Sequence, residues 1–412
     1  MTKPHICVIG AGIAGVCSAY WLSQSGFQVT LMESERYPAQ RTSRANGSQL
    51  SACNAHVWST WPQIRKALGW MWDKEAPFRI DPSWEWHKIK WLWQFVQSAA
   101  RNDHVARTQL TIQHALHSAQ ALQHIVNSEQ IEFDHVKRGI LHVYSDLNMW
   151  HQAQDLQQVF EHASCAWRPL TSDSCVDLEP SLRNYKDLVG GIYTDHDATG
   201  DMHKFCTHLT ARMSHMYGVK CMWCTQVHHV HAHSSGVMVS LSDQTHMNFD
   251  GVVIANGVWA PDLLTQVSDP VNIYPVKGYS VTIKLDHASQ QAAPWVSMLD
   301  EATKIVCSRL GSDRLRVAGT AELCGYNWDI HQARVKPLLN WVHNNFPQVN
   351  TTEYTPWAGL RPMTPDQMPV VRQSVNSDRV WLAVGMGHLG WTLSPGMTRE
   401  LVDRMVDTYG LK

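Results

Sequence analysis

The stretch His5-Ile6-Cys7-Val8-Ile9 runs directly into Gly10-Ala11-Gly12-Ile13-Ala14-Gly15, and Phe27-Gln28-Val29-Thr30-Leu31-Met32 ends on Glu33. A β-branched strand, a glycine turn, a helix stopped by Gly26 and a second strand closed by an acid have the layout of a βαβ unit that binds a dinucleotide. Gly10 permits the tight turn, Gly12 lets backbone approach a pyrophosphate, and Gly15 lets an amphipathic helix pack closely on the strand. Ile13 and Ala14 open that helix, whose unpaired N–H groups and dipole favour anions. Glu33, followed by Ser34, is placed to accept hydrogen bonds from ribose hydroxyls and repels a 2′-phosphate. This spacing leaves NAD and FAD both open.

Outward from that unit, the composition restricts the function classes. A chain of 412 residues with a formal net charge of −2 supports two or three domains and carries no long basic run, which argues against a nucleic-acid partner. Ten cysteines are scattered, two of them inside the βαβ unit, so reduced thiols in the cytoplasm are expected. The N-terminus has no cleavable leader pattern, and no stretch of roughly twenty apolar residues predicts a membrane span. Gly-x-Ser-x-Gly and Gly-Lys-Ser/Thr motifs are absent, which removes the main supports for hydrolase and ATPase readings.

After a polar loop, Arg41 to Leu50, comes an aromatic-rich segment from 84 to 101 and a helical pattern from about 104 to 127. The expected buried stripe of that helix is Val105, Leu116, Leu122, Ile125 and Val126. Gly139 to Tyr144 reads as a strand. Asp195 to Asp201 precede a helix over 202–216 and are expected to cap it. Val227 to Val230 and Val237 to Leu241 form a hairpin, and Gly251 to Gly257 a buried strand with a glycine turn. Alternating strands follow at Tyr274 to Leu285, Thr303 to Arg309 and Arg314 to Thr320. A helix near 331–345 precedes the strand Trp381 to Val384.

That strand feeds a second glycine cluster, Gly385-Met386-Gly387-His388-Leu389-Gly390-Trp391-Thr392, and a terminal helix. A reduced flavin carries negative charge near N1 and the C2 carbonyl, and a helix N-terminus aimed there stabilises it. The two clusters together select FAD. The expected fold is α/β with an α+β insertion: a Rossmann-type FAD-binding domain (1–83, 190–268 and 346–412) interleaved with a substrate-binding domain on an antiparallel sheet (84–189 and 269–345).

The motifs Tyr274-Pro-Val-Lys-Gly-Tyr279-Ser, Gly359-Leu-Arg361-Pro-Met-Thr-Pro and Gly387-His-Leu-Gly-Trp-Thr392, with Thr42-Ser43 and Ala45-Asn46-Gly47, resemble the FAD-dependent D-amino acid dehydrogenases of the small-subunit type, within the D-amino acid oxidase and glycine oxidase superfamily. The resemblance runs from about residue 5 to about residue 405. It implies an elongated FAD, a substrate sheet over the flavin, oxidation of a D-amino acid to an imino acid that water hydrolyses to a 2-oxo acid and ammonia, electrons passed to quinone or the respiratory chain, and peripheral association with the inner membrane. Its FAD residues here are Gly10, Gly12, Ile13, Ala14, Gly15, Glu33, Ser34, Thr42, Ser43, Asn46, Gly47, Gln49, Leu50, Val227, Gly257, Gly387, His388, Leu389, Gly390, Trp391 and Thr392. Departures fall at Arg44, Ser48, His56 and Arg372, and leave the substrate range open.

Hydride transfer from a D-amino acid needs geometry and an unprotonated amine. Arg361 is the first choice for the carboxylate, as in glycine-oxidase-like relatives, since a guanidinium binds it bidentately. Tyr279 is expected to donate to the same carboxylate, and His388 to contact the isoalloxazine or the amine. Lys277 is either near flavin N5 or a solvated strand lysine. Two other readings share the FAD motifs: an oxidase or dehydrogenase of secondary amines, and a non-catalytic flavoprotein subunit of a membrane complex.

No metal is expected. Cys221-Met-Trp-Cys224 with His228, His229, His231 and His233 resembles a zinc site in composition, but the strand spacing scatters the ligands. His114, His117 and His124 are read as a solvated helix face. Trp84, Trp86, Trp91 and Trp93 with His87, Lys88 and Lys90, and Trp70 and Trp72 upstream, are read as packing. A peripheral membrane contact is the alternative.

Overall fold

Strands His5–Ile9, Gln28–Met32, Gly251–Ile254 and Val380–Val384 are buried along almost their whole length, the mark of a parallel sheet covered on both faces. The computed structural model describes residues 3–61, 64, 65, 69, 77–155, 165 and 167–411; Trp70 and Trp72 lie outside them. Among these residues a six-stranded sheet runs in the order Val370–Gln373, Val380–Val384, Gly251–Ile254, His5–Ile9, Gln28–Met32, Lys220–Met222. All neighbours are parallel except the first pair.

The helix Ile13–Gln24 lies on this sheet and ends at Gly26, whose φ of +89° closes it. The expected amphipathic pattern is corrected: Ile13 to Leu22 are all buried. The sheet covers one side, and the helices Met202–Met216 and Gly390–Tyr409 cover others. His104–Glu129 packs on the terminal helix so closely that a Cβ on Gly396 would meet Ser118 Cα at 2.5 Å. This explains why its buried face holds Thr108, Thr111, Ala115, Ser118 and Ala121 with Leu122 and Ile125, while Val105, expected in the stripe, is exposed. His124 is exposed and the His117 side chain partly so, as expected of a solvated face, though His117 Nδ1 also lies 2.8 Å from Glu400 and the His124 ring stacks on Trp21.

The second, nine-stranded sheet holds Tyr274–Lys284 between Tyr354–Met363 and Arg314–Leu323, all antiparallel. Strands Gly190–Thr194 and Tyr354–Met363 pair in this sheet. They therefore correct the expected boundaries, which placed both with the nucleotide-binding part. The strand Phe78–Ile80 also joins it, in parallel with Ala321 to Leu323. The aromatic segment folds into the helix Trp86–Ala100.

Candidate active site

A cavity of about 1430 Å³ opens between the C-terminal ends of the parallel strands and one face of the large sheet. At its nucleotide end the wall is main chain. Gly10 has φ +97°, and a Cβ there would lie 2.8 Å from Ala255 O; a Cβ on Gly15 would lie 1.7 Å from Gly10 O. Gly12 caps the first helix without a side chain, and Ile13 N donates to Ser43 Oγ at 3.1 Å. Glu33 accepts from Ala11 N at 2.7 Å and from Ser34 Oγ at 2.9 Å, which fixes the carboxylate on the cavity wall. Asn256 Oδ1, beside Gly257, is buried without a partner among the described residues.

The loop from Thr42 to Ser51 crosses to the other end. Thr42 Oγ1 donates to Leu360 O at 2.6 Å, Ser280 Oγ to Ala45 O at 2.7 Å, and Ser308 Oγ to Gly47 O at 2.8 Å. Gln49 Nε2 donates to Ser297 Oγ at 2.9 Å, and Ser51 N to Thr392 Oγ1 at 3.3 Å. Asp197, buried and with its pKa raised by burial, accepts from Ser51 and from the main chain of Ala52. It thus holds this loop, while Asp201 caps the following helix. The terminal helix starts at Gly390 with no side-chain cap, its entry set by Gly385 and Gly387 at φ +70° and +56°. Two uncapped helix N-termini thus face one cavity, as an elongated anionic dinucleotide requires. Of the residues assigned to FAD, all line the cavity except Gly15, which packs on the turn, and Leu50, which packs against the adjacent core.

At the substrate end, Arg361 stands opposite Val276 in the antiparallel pair, on the same sheet face as Gly278. A Cβ on Gly278 would lie 2.2 to 2.8 Å from the guanidinium, so only glycine admits it. Nη1 donates to Thr320 O at 2.8 Å. That carbonyl is turned by a bulge in which Lys277 pairs Glu322 and Tyr279 pairs Gly319, with Thr320 at φ +65°. No carboxylate pairs with Arg361 among the described residues, and desolvation lowers its pKa to about 10.

His388 lies across from it, its ring stacked on Trp58 at 4.1 Å between centroids. Burial, then the charge of Arg361, then His56 depress its pKa to about 3, so the imidazole is neutral at physiological pH. Trp58 N donates to Gln367 Oε1 at 2.5 Å and Val57 N to Thr108 Oγ1 at 3.2 Å, which hold the segment carrying His56 and Trp58 against the cavity.

Tyr279 is among the residues lining the cavity, but its hydroxyl is not directed at Arg361. One residue from Gly278, its side chain stands on the opposite sheet face from Arg361, and its hydroxyl donates to Glu322 Oε2 at 3.1 Å. Burial and that carboxylate push its pKa up. Lys277 shares the far face; it is fully buried, and its ammonium bonds Asn327 Oδ1 at 3.2 Å, so it is neither solvated nor beside the cavity. Gly278, Thr320, Trp58 and Gln367 were missed. The glycine inside Tyr274-Pro-Val-Lys-Gly-Tyr279 was the available signal for a close approach. Of the departures, Arg44 lies over the Trp357 ring at 4.9 Å and Arg372 pairs bidentately with Asp269 at 2.7 and 2.8 Å; neither lines the cavity. Among the described residues no three His, Cys, Asp or Glu gather to hold a metal.

A family model described as FAD dependent oxidoreductase matches residues 5–404. D-amino acid dehydrogenase 3 of Mesorhizobium japonicum is 42% identical over 403 residues, covering 97% of this chain and 96% of the relative. D-amino acid dehydrogenase of Dechloromonas aromatica is 34% identical, with coverage of 97% and 96%. Among solved structures, glycine oxidase from Geobacillus kaustophilus superposes with a TM-score of 0.74 at 19% identity, covering 98% of this chain and 95% of that one. L-proline dehydrogenase from P. horikoshii gives 0.73 at 14% identity, covering 100% and 94%. At such identities the structural likeness speaks for the fold.

Proposed function

The chain belongs to the FAD-dependent oxidoreductase family, and from that premise we propose that it oxidises D-amino acids to imino acids, which water hydrolyses to 2-oxo acids and ammonia. The observation that carries this is Arg361: a desolvated guanidinium in the cavity with one main-chain acceptor and, among the described residues, no carboxylate of its own. A substrate carboxylate supplies the missing charge, a pairing worth about 1.5–3 kcal/mol. The D configuration is taken from the activity named for the relatives.

The Gly10–Gly15 turn and Glu33 would hold the pyrophosphate and adenosine ribose of FAD. The loop from Thr42 to Gln49 and the N-terminus of the terminal helix would hold its flavin end. When bound, FAD supplies a two-electron acceptor for the hydride that leaves Cα. Arg361 fixes the carboxylate and so the direction of the Cα–H bond. Neutral His388 adds no second positive charge beside Arg361 and presents a ring nitrogen to the substrate amine, which reacts unprotonated. Trp58 holds that ring in place and excludes water from its face.

Electrons then pass to a quinone, and the surface that supports a peripheral membrane contact is the helix Trp86–Ala100 and the residues before it. Trp84, Trp86 and Trp93 are 74%, 73% and 64% exposed, with Lys90 exposed beside them. Trp91 is buried. No helix among the described residues is long and apolar enough to cross a membrane.

Anaerobic addition of D-alanine, L-alanine, D-proline and sarcosine to purified protein, followed by flavin absorbance, tests the reaction. Bleaching by the D-amino acid and not by L-alanine or sarcosine is expected; bleaching by sarcosine or proline alone makes it a secondary-amine enzyme. Reoxidation by a quinone analogue faster than by air tests the acceptor. Flotation with anionic vesicles should weaken when Trp86 and Trp93 are replaced by serine.

A further inference from the structure

Beyond Arg361 the cavity continues into a lobe whose walls are apolar. Val276 is the direct cross-strand partner of Arg361, and Met363 is two residues along the same strand, so both flank the guanidinium on one face. Phe78 and Ile80 come from the short strand hydrogen-bonded beside Ala321 to Leu323. Leu92 and Phe95, one turn apart on the helix Trp86–Ala100, face the same space. Trp91 Nε1 donates to Met363 O at 2.8 Å and its ring stacks on Phe95 at 5.3 Å, which fixes the helix to the sheet and gives the lobe a set shape.

Trp91, Tyr274, Val276, Leu323 and Met363 form a small core of their own, on which Phe78, Ile80, Leu92 and Phe95 remain only partly buried. These four line the cavity. Four large apolar side chains left partly exposed to the cavity beside the Arg361 guanidinium offer burial to an apolar group. Among the described residues none of those named in the lobe carries a charge, so a charged substrate side chain there would be desolvated without a partner among them.

We infer that this lobe is the side-chain subsite, and that it selects D-amino acids with large apolar or aromatic side chains over D-alanine and over acidic or basic ones. The inference rests on the D-amino acid reading of the same cavity. D-Phenylalanine and D-leucine gain burial that a methyl group does not, and differences of tenfold or more follow from a few carbon atoms in such a pocket.

Single-turnover flavin reduction with D-alanine, D-leucine, D-phenylalanine, D-aspartate and D-lysine tests the inference. The ratio of the flavin reduction rate constant to Kd for D-phenylalanine and D-leucine should exceed that for D-alanine at least tenfold and for the charged pair further. Equal or higher values for D-alanine or D-aspartate overturn it. Phe95→Asp should lower the D-phenylalanine to D-alanine ratio at least tenfold, and Leu92→Ala lower it in the same direction; flavin content reports whether each variant folds, and an unchanged ratio in a folded variant overturns the inference. A binding measurement separates this from the reaction itself. 3-Phenylpropanoate should perturb the flavin spectrum at a concentration at least tenfold below propanoate. If no D-amino acid bleaches the flavin, the reaction assigned above fails, while this carboxylate comparison still decides the character of the lobe.

Discussion

The cavity has one end made of backbone and one end made of side chains, and the two differ in what specifies them. Around Gly10 and Gly15 each position is dictated by an approach that a Cβ would block, at 2.8 Å and 1.7 Å. Around Arg361 the position depends on strand pairing: the residue opposite Val276 faces the cavity, and the bulge at Thr320 turns a carbonyl toward it. A backbone site tolerates no change at its glycines but is indifferent to distant register. A side-chain site can be rebuilt by one substitution, or moved to the other face by a slip of one residue.

The largest effect expected from breaking this contrast is at the backbone end. Gly15→Val should give protein without flavin, measured as absorbance near the flavin bands after purification, because the new side chain must displace the Gly10 carbonyl. Arg361→Met should keep its flavin and lose about 10–10²-fold in kcat/KM with amino acids, as the charge-assisted pair worth about 1.5–3 kcal/mol is removed. Retention of full activity would remove Arg361 from the site.

His388 sharpens the comparison through pH. Its ring stays neutral in the native state down to about pH 3, whereas in the unfolded chain it takes up a proton near its ordinary value of about 6.5. Between these values the unfolded state binds more protons, so stability falls as pH falls through that window. The slope from one such group is at most about 1.4 kcal/mol per pH unit. His388→Asn should flatten the fall of Tm between pH 6 and 4. His135, lowered to about 4 by burial, leaves a part of it. The smallest functional effect is expected at Tyr279→Phe: kcat/KM within about threefold of the parent, with about 1 kcal/mol of stability lost through the hydrogen bond to Glu322.

Elements with local periodicity were legible in the sequence. The helix expected over 202–216 is Met202–Met216, and the strands at 274, 305 and 314 begin within two residues of their expected starts. The helix Trp86–Ala100 was read only as an aromatic stretch, because Trp86 and Trp93 sit on its solvent side and blur the apolar stripe that Trp91 and Phe95 supply. The direction of the Tyr279 side chain is hidden from the sequence for a different reason. Its identity and neighbourhood are right for a carboxylate ligand, but its parity relative to Arg361 depends on a pairing between strands far apart in the chain. The same non-locality hid the membership of Gly190–Thr194 and Tyr354–Met363 in the large sheet. Gly278 was visible as a glycine in a strand, yet what approaches it is set by that pairing.

The loop from Thr42 to Ser51 has a mechanical consequence. It leaves the parallel sheet's first helix through Ser43 and is then fastened to the large sheet by Leu360 O, Ser280, Ser308 and Ser297 before it reaches Thr392. A force or fluctuation that separates the two sheets pulls on this strap, together with contacts such as Gly387 N to Pro362 O and Arg314 to Asp201. A cofactor gripped by the strap would act as a tie-rod across the joint, coupling the opening of one half of the molecule to the other.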